Sequence, residues 1–141
     1  MSDVAFLPDD QVRRRLTEDR IAWLTTVSRS GRPSPRPVWF LWTGEYCVIY
    51  SQPDTAKLAH IAANDQVSLH FDSGPAGGDI VVIGGRAELL PEAPPADRWP
   101  GLLDKYAELL TTIGMTAEHF VTTYTVALRF VPERAWTIPG G

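Results

Sequence analysis

Three runs rich in β-branched and aromatic residues follow one another between Ile21 and Ser51, separated only by tight turns. Ile21 to Ser28 (IAWLTTVS) leads through Ser30-Gly31-Arg32 into Pro35 to Trp42, and Thr43-Gly44-Glu45 leads into Tyr46 to Ser51. Turns this short join antiparallel neighbours and leave no room for the helical crossover that parallel strands need. The reading is an antiparallel meander of three strands, which must curl or recruit further strands to bury its apolar face.

The rest of the chain supplies them. Asp54 is placed to cap a helix over Thr55 to Ala63, with Leu58, Ile61 and Ala62 at helical spacing. Val67 to Phe71 alternates as a fourth strand, residues 73–78 form a loop, and Asp79 to Leu90 is a long strand in which Gly84-Gly85 signals a bulge. After the connector Pro91 to Pro95, the stripe Leu102, Leu103, Tyr106, Leu109, Leu110, Ile113 marks a helix that Gly114 ends. Thr122 to Phe130 is the last strand, and Pro132 to Ile138, with Trp136, is a C-terminal extension. Ahead of the meander, Asp9-Asp10 followed by Val12 and Leu16 starts a short amphipathic helix that packs as a lid. The expected fold is mainly β: a six-stranded antiparallel barrel with three helices at its periphery. A chain of 141 residues holds one such core and not two, so residues 1–141 are read as one domain.

Charge and composition narrow the function. With 13 Lys and Arg against 17 Asp and Glu, a net charge of −4 argues against a nucleic-acid coat. No run approaches the roughly 20 apolar residues of a membrane span, and Met1-Ser2-Asp3-Val4 lacks the basic start of a signal peptide. The single cysteine, Cys47, and the scattered His60, His70 and His119 indicate a reducing, cytoplasmic setting without a metal cluster. The charges are unevenly spread. Residues 1–60 carry eight cations against seven acids and residues 61–141 five against ten, which places any anion site in the first half.

Two stretches carry chemistry. Pro35 and Pro37 cannot donate to a sheet ladder, so Pro35 to Trp42 runs along an edge or faces a ligand. Trp39 and Phe40 then either fill the core, or the backbone around Val38 and Trp39 meets a flat heterocycle. At the next helix start, the hydroxyls of Ser51 and Thr55 and the ammonium of Lys57 gather where free N–H groups favour a phosphate. The alternative is a capped helix with a solvated lysine, and Asp54 competes for the same amides. The Gly-Lys-Ser/Thr pattern of a nucleotide triphosphatase is missing. His60 and His70 have no Ser or Cys partner at motif spacing, Cys47 reads as inert packing, and Gly77-Gly78 and Trp136 are rim elements.

Taken together, Ile21 to Asp72 resembles the split-barrel flavin-binding fold of the pyridoxamine 5′-phosphate oxidase-like superfamily. Pro37-Val38-Trp39-Phe40, Ser51…Lys57-Leu58…Asn64…Val67-Ser68-Leu69 and Gly78 to Glu88 are most similar to its actinobacterial branch, which uses the deazaflavin coenzyme F420. The resemblance implies a homodimer with two cofactor sites at the subunit seam. It implies that Lys57, Ser51 and Thr55 hold the cofactor phosphate and that the backbone of Pro37, Val38 and Trp39 lies along the tricyclic ring. Arg36, with Arg29 and Arg32, is then available to a polyanionic tail. The pyridoxamine oxidases usually place an arginine just before the lysine, where this chain has Ala56, which argues against tight FMN binding and leaves FMN as the alternative cofactor. The implied chemistry is hydride transfer from reduced F420 to a conjugated small molecule, an enone, quinone or tetrapyrrole-like pigment, with no dedicated catalytic residue. An FMN-dependent oxidoreductase and a non-enzymatic cofactor- or haem-binding dimer are the competing readings; neither nucleic acid nor a membrane is an expected partner.

Overall fold

The computed structural model describes residues 6–140, so the expectation for Met1 to Val4 lies outside the described residues. Seven strands form one antiparallel sheet: β1 (Ala22–Val27), β2 (Pro33–Val38), β3 (Leu41–Trp42), β4 (Cys47–Ser51), β5 (Gln66–His70), β6 (Ile80–Leu89) and β7 (Val126–Ile138). Their order is β2-β1-β5-β6-β7-β4-β3. Among the described residues four α-helices accompany them: α1 (Asp10–Glu18), α2 (Ala56–Ala63), α3 (Leu102–Thr112) and α4 (Ala117–Thr123). The two edge strands are consecutive in the chain, with only Trp39 and Phe40 between them. The sheet therefore curls into a half-barrel until its margins adjoin.

Alternation builds the interior. Leu24 of β1, Leu69 of β5, Val81 and Ile83 of β6, and Leu128 and Phe130 of β7 point into one core. β4 is buried along its whole length because it serves two layers: Cys47 and Ile49 join that core, whereas Val48 and Tyr50 pack outward against Tyr106 and Leu110 of α3 and Phe120 of α4. Val12 and Leu16 of α1 also enter the barrel core, and Asp9 caps this helix by accepting from Val12 N–H at 2.9 Å. The buried Arg15 guanidinium ties α1 down by donating to the carbonyls of Asp72 (2.6 Å) and Asp79 (2.8 Å) and to the Asp19 carboxylate (2.9 Å). Among the described residues no helix is long and apolar enough to cross a membrane.

Several expectations are corrected. There are seven strands rather than six, because Pro35 to Trp42 is not one strand: its first part pairs with β1, and Leu41 and Trp42 pair with β4. The meander is thus two hairpins at opposite margins of the sheet; turn chemistry fixes adjacency within each hairpin but not between them. Thr122 and Thr123 close a fourth helix, and the last strand starts at Val126 and continues through the supposed C-terminal extension to Ile138. Pro132 does not stop it because it faces Gly85 at the bulge, where the register shifts between Gly84 and Gly85. Asp54 is not the cap of α2. It turns the chain with φ 59°, and Thr55 takes the cap position.

Candidate functional site

Two adjoining cavities lie between β2, the start of α2 and the α3–α4 turn. One, of about 320 Å³, is lined by Pro37, Val38, Trp39, Tyr50, Lys57, Ile113, Met115, Phe120 and Tyr124. The other, of about 340 Å³, includes Thr26, Ser34, Arg36, Gln52, Thr55 and Lys57. They share Pro37, Lys57 and Tyr124, so Lys57 stands where one opens into the other. Six of the seven candidate residues line this pair of cavities, and the seventh, Ser51, is buried behind Lys57.

The geometry around Lys57 follows from the turn that precedes it. β4 ends at Ser51, and the left-handed Asp54 reverses the chain so that α2 starts beside the strand end. Lys57 Nζ donates to Ser51 Oγ at 3.0 Å, Ser51 Oγ donates to the Gln52 carbonyl at 2.9 Å, and Thr55 Oγ1 is 3.4 Å from the same hydroxyl. No carboxylate stands within 4.0 Å of the ammonium among the described residues. Burial lowers its pKa below the ordinary lysine value. Thr55 makes no capping bond with its side chain. A half-buried cation with one neutral acceptor, next to a helix start with free N–H groups, has the donor set of an oxyanion site. Asp54 does not fill it, since its exposed carboxylate accepts none of the hydrogen bonds seen at this helix start.

An aromatic train forms the other wall. The Trp39 indole stacks on the Tyr106 ring at 4.5 Å and 2°, Phe120 leans on Trp39 at 5.4 Å, and Tyr124 stacks on Phe120 at 5.0 Å. Trp39 lies just beyond the β1–β2 pairing, and its N–H has no acceptor among the described residues. Tyr50 donates to the Pro94 carbonyl at 2.6 Å, and burial, with Asp97 adding to it, raises its phenol pKa. Sequence reasoning missed Tyr50, Met115, Phe120 and Tyr124. The signal for the last two was their i, i+4 spacing, which marks one face of a helix, although Tyr124 fell within Thr122 to Phe130, the stretch read as strand.

The remaining nominees line neither of these two cavities. His60 Nδ1 is 2.9 Å from Thr26 Oγ1, and His70 stacks on Trp23 at 6.3 Å on the outer face of the sheet. Cys47 is wholly buried, and burial pushes its thiol pKa well above the usual range. Arg29 borders a separate depression near Ala63 and Asn64, while Arg32 lines none of these cavities.

Residues 8–138 match the family model for pyridoxamine 5′-phosphate oxidase. No curated protein matches the chain. Among solved structures, an F420 reductase is similar at 20% identity and TM-score 0.68, over 92% of this chain and 98% of that one. An FAD-binding protein from Mesorhizobium loti matches at 21% identity and TM-score 0.67, over 92% of each chain. The heme storage protein HutZ from Vibrio cholerae matches at 13% identity and TM-score 0.65, over 92% of this chain and 94% of that one. At such identities the likeness is one of fold. The family model, by contrast, spans nearly the whole sequence, from α1 through the end of β7: the chain belongs to the pyridoxamine 5′-phosphate oxidase family.

Proposed function

We propose that this chain is an F420-dependent reductase acting on a conjugated small molecule such as an enone, quinone or tetrapyrrole-like pigment. The observation that carries the reading is Lys57, the cation at the start of α2, standing between an aromatic-walled cavity and a polar one. A phosphomonoester such as that of FMN carries a charge of about −1.5 to −2 at neutral pH and is matched by two cations, whereas a phosphodiester carries one charge. Ala56 leaves Lys57 without a cationic neighbour in sequence, which favours the diester of the deazaflavin cofactor.

The residues divide the work. Lys57, backed by Ser51 and flanked by Thr55, binds the phosphate. The edge backbone of Pro37 to Trp39 supports the ring, with the free Trp39 N–H as a donor to a ring oxygen. Arg36 and Gln52 in the second cavity receive the acidic tail. When bound, the reduced cofactor supplies hydride to the acceptor. Phe120, Met115 and Tyr124 exclude water and hold a flat substrate against the ring. The reading includes a homodimer. Pro37, Trp23, His70, Val82 and Trp136 lie opposite one another across β2, β1, β5, β6 and β7, an outer stripe that runs up to the cavity and suits a second copy of the chain.

Fluorescence titration of the purified protein with F420 and FMN tests the cofactor. F420 binds more tightly, and Lys57→Ala weakens it by roughly tenfold or more, the ratio expected for one charge-assisted contact. Tighter binding of FMN overturns this reading.

A further inference from the structure

Where β2 leaves β1, a side chain from α3 holds the ladder open. Ser28 N–H donates to the Arg32 carbonyl at 3.0 Å, and Ala22 pairs with Val38, so the next bonded rung in this register would join Phe40 N–H to the Arg20 carbonyl. The Tyr106 hydroxyl occupies that rung. It accepts from Phe40 N–H at 2.7 Å, and its oxygen is within donating distance of two carbonyls, that of Arg20 at 2.7 Å and that of Phe40 at 2.8 Å. Lys105 Nζ donates to the Phe40 carbonyl at 2.7 Å and sits 3.7 Å from the centre of the Phe40 ring. With that carbonyl supplied, the phenol proton is left for Arg20.

The same phenol reaches the site. Its hydroxyl fixes the peptide of Phe40, and its ring carries the indole of Trp39. Without the wedge the β1–β2 ladder gains a rung, Phe40 moves toward Arg20, and Trp39 is drawn out of its place between Tyr106 and Phe120. A leucine at position 106 would keep an apolar side chain in the core but hold neither group.

We propose that Lys105 and Tyr106 are positioning residues of the cavity: by holding the β1–β2 ladder open at Phe40 they fix where the Trp39 wall stands, and with it the affinity for a planar ring. The claim about affinity rests on the cavity taking a tricyclic cofactor, as proposed above.

The test uses the full chain as Tyr106→Phe, which keeps the stacked ring and deletes the hydroxyl, and as Lys105→Met. Near-UV circular dichroism of the ligand-free protein reads the Trp39–Tyr106 stack, with Trp39→Phe assigning the band. Fluorescence titration reads F420 and FMN, both at a temperature where each variant is folded. In both variants the Trp39 band is lost or displaced, and the cofactor that the wild type prefers binds about tenfold more weakly, the ratio of one buried hydrogen bond left unmet. A lowered Tm with unchanged affinity overturns the proposal and reduces the pair to ordinary core. Should the wild type bind neither cofactor, the reading of the cavity fails, and the dichroism of the free variants alone decides the positioning claim. Should Tyr106→Phe not fold, Lys105→Met carries both readouts.

Discussion

The Lys57 ammonium reaches back six residues to the Ser51 hydroxyl, 3.0 Å away, and finds no counter-ion there. A cation held this way disfavours the native state at neutral pH unless an anion joins it. Its pKa is lowered by burial, so the unfolded chain holds the proton more tightly than the folded one. The penalty is therefore fully present below the folded pKa and fades as pH rises through it.

Lys57→Met accordingly folds to a protein at least as stable as the wild type, with Tm higher by roughly 1–3 °C, the response of a domain of this size to about half a kcal/mol. Scanning calorimetry at neutral and alkaline pH checks this. The gap between the two proteins narrows in alkali, and a Tm several degrees below wild type would mean that the lysine is structural.

Thr55→Ala separates capping from binding. Because the Thr55 side chain makes no capping bond, its loss changes stability by less than about 0.5 kcal/mol, where a working cap is worth ~1 kcal/mol. Affinity for the phosphate-bearing cofactor falls several-fold in the same variant. Urea denaturation and a fluorescence titration read the two quantities.

Acid sensitivity resides at Asp79. Its carboxylate takes Arg14 at 2.8 Å, Gln11 at 3.1 Å and Arg15 at 3.3 Å, and the Arg14 bond is the first cause of its lowered pKa. This stabilisation is complete above the ordinary aspartate pKa and is lost as pH falls from about 4 through the folded value. Asp79→Asn tolerates the same left-handed backbone, φ 52°, and flattens that limb of the urea midpoint plotted against pH.

The two glycines of the bulge respond differently to a methyl group. A Cβ on Gly85 would stand 2.1 Å from the Val131 carbonyl oxygen, so Gly85→Ala forces β6 from β7 and costs about 3 kcal/mol or more. The three atoms nearest a Cβ on Gly84 all belong to the Arg134 guanidinium, at 2.7–2.9 Å, a flexible and exposed group that swings aside. Gly84→Ala stays within about 1 kcal/mol of wild type in chemical denaturation.

What the sequence disclosed was local. Runs of β-branched and aromatic residues marked β1 and β4, alternation marked β5, the apolar stripe marked α3, and the paired glycines marked the bulge in the long strand β6, because each reports a period, a composition or a conformational need of its own segment. The phosphate-binding half of the candidate site was legible for the same reason, since Ser51, Thr55 and Lys57 lie within seven residues. The aromatic half was not. Phe120 and Tyr124 come to Trp39 only because α4 folds back over β4, and no motif in their own neighbourhood records that contact. Strand order was hidden likewise: nothing in Pro35 to Trp42 says that its two ends belong to opposite margins of the sheet.

Pro33, Pro35 and Pro37 alternate along edge strand β2, and the bonded Ser28–Arg32 pair fixes the direction of every amide in that register. All three imide nitrogens fall on the side facing away from β1. A strand approaching this margin from solvent meets carbonyl acceptors there and no N–H at any of the three positions, so it cannot complete a ladder. The curled sheet is thus guarded against templating fibrillar growth at the margin where it opens toward its cavity. Replacing these prolines with threonine or valine would leave the pairing with β1 intact while restoring the missing donors, turning a protected edge into one prone to self-association.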